Sequence, residues 1–305
     1  MFLRIETTSI AKAWIQAMQQ VIFDGDMIRT QYDSNDDFPS RDATSAIHVT
    51  EPISDPLSFN GKPRLINGQE VYCHTGDVYC IESIKSGYLS EVMSGEKDKF
   101  VIKNALDQTK SFPYTYHDRL FNYKPVNIED LMLKHIKDHP FAEGDERKFI
   151  ESIIPIDQVE EIIKHLNESP YSRRAQAITW RPISDNYRED PPCLQRVWAR
   201  IFNGNLLRLD VHWRSRDLFG AWSANMNGMI AIGKKIADAT NSKLNEIFDF
   251  CDSIHVYGKQ KKLYKEIVPL LEVVRNVEGL IEPRYNQLLD KLVAEARDFE
   301  SKKRD

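Results

Sequence analysis

The feature that most constrains the fold is a central series of three apolar-rich runs, each as long as a β-strand. They are AQAITW at 175–180, LQRVWARIF at 194–202 and LLRLDVHW at 206–213. Asn203-Gly204 separates the last two runs. This dipeptide between alternating apolar runs is the strongest short-range signal for a β-hairpin, because both residues tolerate positive φ angles. The centre of the chain therefore predicts paired antiparallel strands.

Helical patterns surround this centre. Apolar residues recur at helical spacing from Ser9, a candidate N-cap, to Phe23, and again near 79–93, 127–139 and 156–166. A buried helix is expected at 221–239, and short strands at 46–49 and 250–257. No linker divides the chain convincingly. The sequence predicts an α+β fold, in which an antiparallel or mixed sheet is covered by helices.

Composition excludes several classes of protein. The 41 basic and 46 acidic residues give a net charge of -5, so we expect neither nucleic-acid nor membrane binding. No apolar run approaches the roughly 20 residues that span a bilayer, and the polar N-terminus lacks a secretory signal. A cytoplasmic location is therefore expected. The cysteines show no zinc-site spacing, so no metal is expected. Three are expected to be packed core thiols: Cys73, Cys80 and Cys251.

Residues that carry chemistry form one ordered series between positions 173 and 257. The segment RRAQAITWRPISDNYREDPPC is followed by WRSRDLF, then by SANMNG and HVY. Each residue taken singly has an ordinary explanation, such as a solvated arginine, a packed strand cysteine or one polar face of a sheet. Their combination is what indicates a site.

In this combination the sequence resembles the thymidylate synthase family. Seven elements occur in the family's order: Arg173-Arg174, Trp180, Asp185, Pro191-Pro192-Cys193, Arg214-Ser215-Arg216-Asp217, Asn225 and His255-Val256-Tyr257. The segment from Tyr114 to Leu120 is similar to the tyrosine segment of the family's archaeal-type and nucleotide hydroxymethylase branches. The resemblance implies a thymidylate synthase-like mixed β-sheet at a homodimer interface. It also implies a catalytic domain at 1–258, with a divergent N-terminal part, and a C-terminal helical extension at 259–305.

The resemblance implies one-carbon transfer to C5 of a pyrimidine nucleoside monophosphate, with 5,10-methylenetetrahydrofolate as the cofactor. C5 of a pyrimidine is a poor nucleophile, and addition of the Cys193 thiolate at C6 would activate it. A free cysteine has a pKa of about 8.5, so Arg214 is expected to favour the thiolate and also to bind the phosphate. Further phosphate ligands are implied by the resemblance: Ser215, Arg41, and Arg173 and Arg174 reaching across from a second subunit. For Arg41, an ordinary loop arginine remains the alternative.

Asn225 is the residue expected to bind the base. A carboxamide offers one donor and one acceptor, which match O4 and N3–H of uracil. Family members that act on cytosine nucleotides often carry aspartate here, so Asn225 favours uracil, although an amide can also flip. The resemblance further implies that His255 and Tyr257 bind the sugar, that Asp217 supports the folate ring and that Tyr116 takes part in moving the C5 proton.

Several departures from the family pattern bear on the product. Leu194 follows the cysteine where histidine is usual, and Trp213 replaces a common glutamine. The family's catalytic glutamate has no clear counterpart, since Glu82 and Glu91 both read as solvated helix residues. The usual short apolar C-terminal tail is replaced by ARDFESKKRD. The missing apolar tail favours hydroxymethylation, whereas methylation is the family's commonest activity. Methylation of dUMP is therefore ranked first, and hydroxymethylation of dUMP, CMP or dCMP second. A catalytically inactive nucleotide-binding relative is the alternative of another class.

Overall fold

The computed structural model describes residues 1–30, 33–34, 37, 39–54, 64–74, 77–95, 102–103, 109–110, 114–126 and 144–258, together with positions 283, 284, 287, 290 and 294. The helix expected at 127–139 and most of the expected C-terminal extension lie outside the described residues. Within the described part of the chain, no helix is long and apolar enough to cross a membrane.

Twelve strands and eight helices make up the described structure. The strands are β1 (Phe2–Thr7), β2 (Asp26–Ile28), β3 (Ser40–Val49), β4 (Arg64–Ile66), β5 (Gln69–Val71), β6 (Ile102–Lys103), β7 (Thr109–Lys110), β8 (Gln176–Ile178), β9 (Leu194–Phe202), β10 (Leu206–Trp213), β11 (Arg216–Asp217) and β12 (Lys243–Val256). The helices are α1 (Ile10–Asp24), α2 (Val78–Lys85), α3 (Tyr88–Ser94), α4 (Tyr116–Leu120), α5 (Gly144–Ser152), α6 (Gln158–Glu168), α7 (Pro182–Asp185) and α8 (Trp222–Ala239).

Eight of the strands form one mixed sheet. Its main path runs β1-β3-β12-β10-β9-β8, with β2 added to β3 and β11 added to β12. The pairs β1/β3, β10/β12 and β11/β12 are parallel, and the others are antiparallel. Alternate residues of β9 and β10 are buried, because helices α1, α6 and α8 pack against the sheet. The predicted α+β class, a mixed sheet covered by helices, is confirmed.

Local signals in the sequence account for much of this architecture. Ser9 caps α1 by accepting a hydrogen bond from Lys12 N, and Asn203 and Gly204 make the β9–β10 turn with positive φ angles of 48° and 88°. The predicted helix near 79–93 is two helices instead, because Gly87 adopts a left-handed φ of 101° between α2 and α3. Strands β3 and β12 begin earlier than predicted, and β1 was not predicted at all.

Two arginine–aspartate pairs lie in the core and brace the loops around the central strands. Arg119 and Asp185 have side chains that are 1% and 0% exposed and form two hydrogen bonds of 3.0 and 2.9 Å. Arg216 pairs with Asp249 at the same depth, and its guanidinium lies 3.9 Å from the ring of Trp213. Buried charges persist only when they are paired and hydrogen-bonded, so both pairs fix the geometry of the segments that carry them.

One irregularity in β12 changes its alternation. Ile247, Asp249 and Cys251 are buried at every second position, and the register against β3 then shifts between Cys251 and Ile254. Beyond this bulge, Ile254 is fully buried and His255 pairs with Asp217 of β11. β-Bulges commonly redirect side chains next to functional sites.

Candidate active site

The loop that ends in Cys193 is held by Arg214. The Arg214 guanidinium donates to the carbonyl oxygens of Pro192 (Nε, 3.0 Å) and Pro191 (Nη2, 2.7 Å), and its backbone N–H donates to Cys193 O at 2.9 Å. Cys193 is partly buried at the start of β9, while the other three cysteines are buried, as predicted. Arg214 therefore lies beside the loop that carries Cys193, since the β9–β10 hairpin brings these two segments side by side; its catalytic role stays a prediction.

The charges around Cys193 act in opposite directions. Burial raises the pKa of the thiol, and Asp190 and Asp217 raise it further, whereas Arg214 and Arg216 lower it. The net effect is a pKa above the ordinary value. Arg214 thus has the expected sign of effect, but desolvation outweighs it.

Two tyrosine hydroxyls lie beside Cys193. Tyr116, the first residue of α4, accepts a hydrogen bond from Leu194 N at 3.4 Å, and its ring meets those of Tyr114 and Trp213 edge-on, each with centroids 5.8 Å apart. Burial raises the pKa of Tyr114, and a hydrogen bond from the backbone N–H of Cys193 lowers it. Tyr114 belongs to the tyrosine segment that the sequence analysis describes, but no role was predicted for it. Its spacing of two residues from Tyr116 was the available signal.

Asn225 lies in the first turns of α8 and bonds to a residue that sequence reasoning missed. Its Nδ2 donates to the hydroxyl oxygen of Tyr88 at 2.7 Å, and both side chains are buried. Glu91, three residues after Tyr88 on α3, is only 3% exposed. The prediction that Glu91 is a solvated helix residue is therefore wrong, because α3 packs against α8. Glu82 is exposed as expected and pairs with Lys85 at 2.9 Å.

His255 and Tyr257 share the end of β12. Their rings meet edge-on, 4.5 Å apart, and Nδ1 of His255 lies 3.2 Å from Ser253 O. Nε2 of His255 is buried without a hydrogen-bond partner among the described residues. A buried ring nitrogen without a partner is a candidate contact for a ligand hydroxyl, since unsatisfied polar atoms are uncommon inside proteins.

Asp217 and Gly220 form a small cradle beside this strand. Asp217 Oδ1 accepts hydrogen bonds from the N–H groups of Phe219 (3.0 Å) and Gly220 (2.9 Å). A Cβ at Gly220 would lie 2.7 Å from Asp217 Oδ2, so any other residue there would displace the carboxylate. The rings of Tyr79 and Phe219 lie 4.8 Å apart and flank the loop with apolar surface. Beneath it, burial raises the pKa of Asp77 to about 6.

Three of the predicted phosphate ligands form no hydrogen bond with the Cys193 loop in the described part of the chain. Arg173 and Arg174 are exposed just before β8, the edge strand, where Arg173 O accepts a hydrogen bond from Trp198 Nε1 at 3.2 Å. Arg41 lies inside β3, not in a loop before it, and its Nη1 donates to Gly25 O at 3.3 Å. Ser215 is partly exposed between Arg214 and β11.

Fold and site together define an α+β protein with a cysteine at the head of a central strand, an arginine across from it and a buried amide on the covering helix. The sequence profile of the thymidylate synthase family matches residues 117–276, slightly more than half of the chain. The chain therefore belongs to the thymidylate synthase family, whose members bind pyrimidine nucleotides and folate and transfer one-carbon units.

Relatives from archaea share this similarity, two of them over most of the chain. A protein named "putative thymidylate synthase" from Methanothermobacter marburgensis is 24% identical over 272 residues, covering 87% of this chain and 97% of that protein. Its namesake from Methanocaldococcus jannaschii is 27% identical over 258 residues, covering 83% and 90%. A third, from Methanosarcina acetivorans, is 34% identical over 113 residues, covering 37% and 52%.

Proposed function

We propose that this protein transfers one carbon unit to C5 of a pyrimidine nucleoside monophosphate, converting dUMP to dTMP. The observation that carries the proposal is the placement of Cys193 between Arg214 and the hydroxyls of Tyr114 and Tyr116. The same group lies near the base-binding amide, since α4, which begins at Tyr116, packs against α3, which carries Tyr88, the partner of Asn225.

Cys193 is proposed as the nucleophile. Its sulfur bonds to C6 of the ring, the C5–C6 π electrons move through C5 onto O4, and C5 becomes able to form a bond to carbon. Carbon transfer would break that carbon's bond to the donor nitrogen, and a base would take the C5 proton. Once hydride or water has added to the carbon, the C6–S bond breaks, Cys193 leaves as a thiolate and the C5–C6 double bond re-forms. Because burial raises the thiol pKa, loss of the thiol proton is a costly step. Arg214 and Arg216 supply the positive charge that lowers this cost.

The remaining residues are proposed to hold the nucleotide. Two N–H groups of Arg214 donate to the carbonyl oxygens of Pro191 and Pro192. Its remaining guanidinium N–H groups are available to a phosphate beside Ser215. Asn225 binds the base, His255 and Tyr257 bind the sugar hydroxyl, and Tyr116 is placed to relay the C5 proton. Arg41 joins the phosphate site only if its side chain leaves Gly25 O.

The cofactor proposed is 5,10-methylenetetrahydrofolate. The Asp217–Gly220 cradle fits the aminopyrimidine edge of a pterin, because a carboxylate accepts hydrogen bonds from ring N–H groups and the Tyr79–Phe219 pair offers apolar surface. When bound, this cofactor supplies the carbon unit and, for a methyl product, the hydride. Asp217 and Phe219 would hold and orient it.

A homodimer is proposed to complete the phosphate site. Arg173 and Arg174 point into solvent at an edge of the sheet, where they cannot serve Cys193 of their own chain without moving. Large apolar side chains are exposed on the same sheet, including Ile178 (43%) and Phe250 (38%). Pairing of two such sheets would bury these side chains and carry the arginines of one chain towards the other's site.

The test is covalent trapping with 5-fluoro-dUMP and methylenetetrahydrofolate. Fluorine at C5 cannot leave as a proton does, so the adduct should persist, and peptide mapping should place it on Cys193. Cys193→Ala should bind nucleotide but form no adduct and no product. Mass spectrometry of the product from dUMP decides between methyl and hydroxymethyl. Turnover by Cys193→Ala, or an adduct on another cysteine, would remove the mechanism.

A further inference from the structure

Tyr88 occupies a position set by two glycines. Gly87, with its φ of 101°, turns the chain sharply from α2 into α3 and makes Tyr88 the first residue of α3. The Tyr88 ring then lies against Gly228 of α8, where an added Cβ would sit 3.5 Å from the ring and 3.7 Å from the hydroxyl oxygen. Asn225 is three residues earlier on α8, so the hydroxyl meets its amide.

The bond between Tyr88 and Asn225 gives the amide a direction. Nδ2 of Asn225 points at the Tyr88 hydroxyl, 2.7 Å away. Within the described part of the chain, Oδ1 of Asn225 accepts no hydrogen bond and belongs to a side chain that is 9% exposed. Oδ1 and the second N–H of Nδ2 are thus left for a ligand.

Amide direction decides which pyrimidine fits. Uracil presents an N–H donor at N3 and an acceptor at C4, whereas cytosine presents an acceptor at N3 and an amino donor at C4. An amide that places its oxygen at N3 and its nitrogen toward C4 pairs with uracil, and the reversed amide pairs with cytosine. A buried mismatch costs more than a lost bond, because two polar atoms stay unpaired.

A hydroxyl alone would not fix the direction, since it can donate as well as accept. Glu91 lies one helical turn after Tyr88, on the same face of α3, and is 3% exposed. Its negative charge acts on Tyr88, where it adds to the rise in pKa that burial causes. A carboxylate draws the O–H dipole towards itself, which turns the oxygen lone pairs to Asn225 and favours Nδ2 as the donor.

We propose that Tyr88, oriented by Glu91, is the positioning residue that sets the Asn225 amide for uracil and against cytosine. This inference rests on the proposed function and deepens it, because it assigns base selectivity to two residues of α3 that do not need to touch the base. Selectivity then depends on the direction of one buried hydroxyl.

The experiment compares Tyr88→Phe with the wild-type protein. Phenylalanine keeps the ring against Gly228 and removes only the hydroxyl that anchors the amide. The dissociation constants of dUMP and dCMP are measured by calorimetry, and kcat/KM is measured for both. We expect the preference for dUMP to fall about tenfold, through weaker dUMP binding and stronger dCMP binding. Glu91→Gln should shift the preference in the same direction.

Tyr72→Phe is the matched control. Tyr72 is also a buried tyrosine, but its hydroxyl donates to Glu70 at 2.6 Å and lies outside the Tyr88–Asn225 pair. Its preference for dUMP should stay at the wild-type value. Near-UV circular dichroism checks that all three variants are folded.

The outcomes separate the two proposals. If wild type discriminates between the nucleotides and a folded Tyr88→Phe discriminates equally well, the inference is overturned while the proposed function stands. If Tyr88→Phe weakens both nucleotides by the same factor, Tyr88 is merely structural and the inference is again overturned. If wild type binds neither nucleotide, the proposed function fails and the inference falls with it.

Discussion

Removing the charge of Asp185 should destabilise the fold strongly, because Asp185 is the partner of a fully buried arginine. Its carboxylate accepts bonds from Arg119 at 2.9 and 3.0 Å and from Arg181 N at 2.6 Å. In Asp185→Asn one oxygen becomes an NH2 group, which faces a guanidinium that can only donate. Breaking one side of a buried pair costs about 3–5 kcal/mol, or about two to four orders of magnitude in the folding equilibrium constant. That is a large share of a stability of about 5–15 kcal/mol.

Urea unfolding followed by tryptophan fluorescence measures this loss. Glu70→Gln is the control, since Glu70 pairs with Lys234 at 3.0 Å but both side chains are nearly half exposed, and such pairs are worth about 0–1 kcal/mol. Arg119→Met combined with Asp185→Leu should lose less than Asp185→Asn, because the buried Arg119 guanidinium is no longer left facing a donor. A loss below about 1 kcal/mol for Asp185→Asn would refute the reasoning.

Three further outcomes are expected. Asp190→Asn should lower the pKa of Cys193, because Asp190 raises it. The pH profile of iodoacetamide alkylation should then move to lower pH. An unmoved profile would contradict the effect of Asp190 on the thiol. Gly220→Ala should weaken folate binding about tenfold, because the new Cβ displaces Asp217 Oδ2. The Kd of dUMP should stay unchanged. Equal weakening of both ligands would argue against folate binding at the Asp217–Gly220 cradle. Burial raises the pKa of Asp77 from 3.8 to about 6. The unfolding free energy of wild type relative to Asp77→Asn should therefore fall as pH rises through that interval. A constant difference would show that burial does not raise the pKa of Asp77.

Local patterns allowed the sheet centre and the proximity of Cys193 to Arg214 to be predicted from sequence. Asn203-Gly204 specified the hairpin, and the hairpin alone places Cys193 beside Arg214. The Tyr88–Asn225 bond joins residues 137 positions apart and depends on how α3 packs against α8, which no local pattern reports. Burial of Glu91 was missed for the same reason.

The sequence showed the charges that act on the Cys193 thiol but not the net direction of its pKa. Positive charges near Cys193 are visible in the sequence as Arg214 and Arg216, and both do lower its pKa. The opposing contribution is desolvation, which depends on atoms packed around the sulfur from several segments. Charge can be counted in a sequence, whereas burial is known only once the chain is folded.

Because of the bulge near the end of β12, the number of residues in that strand determines which way the side chains beyond it point. Because side chains alternate with a period of two, deleting one residue between Asp249 and His255 would exchange His255 with a neighbouring apolar residue. Asp249, the core partner of Arg216, would remain in place, whereas His255 would turn away from Asp217. The residues of this stretch can therefore be substituted more freely than their number can change, and a deletion should be tolerated only with a compensating insertion in the same strand.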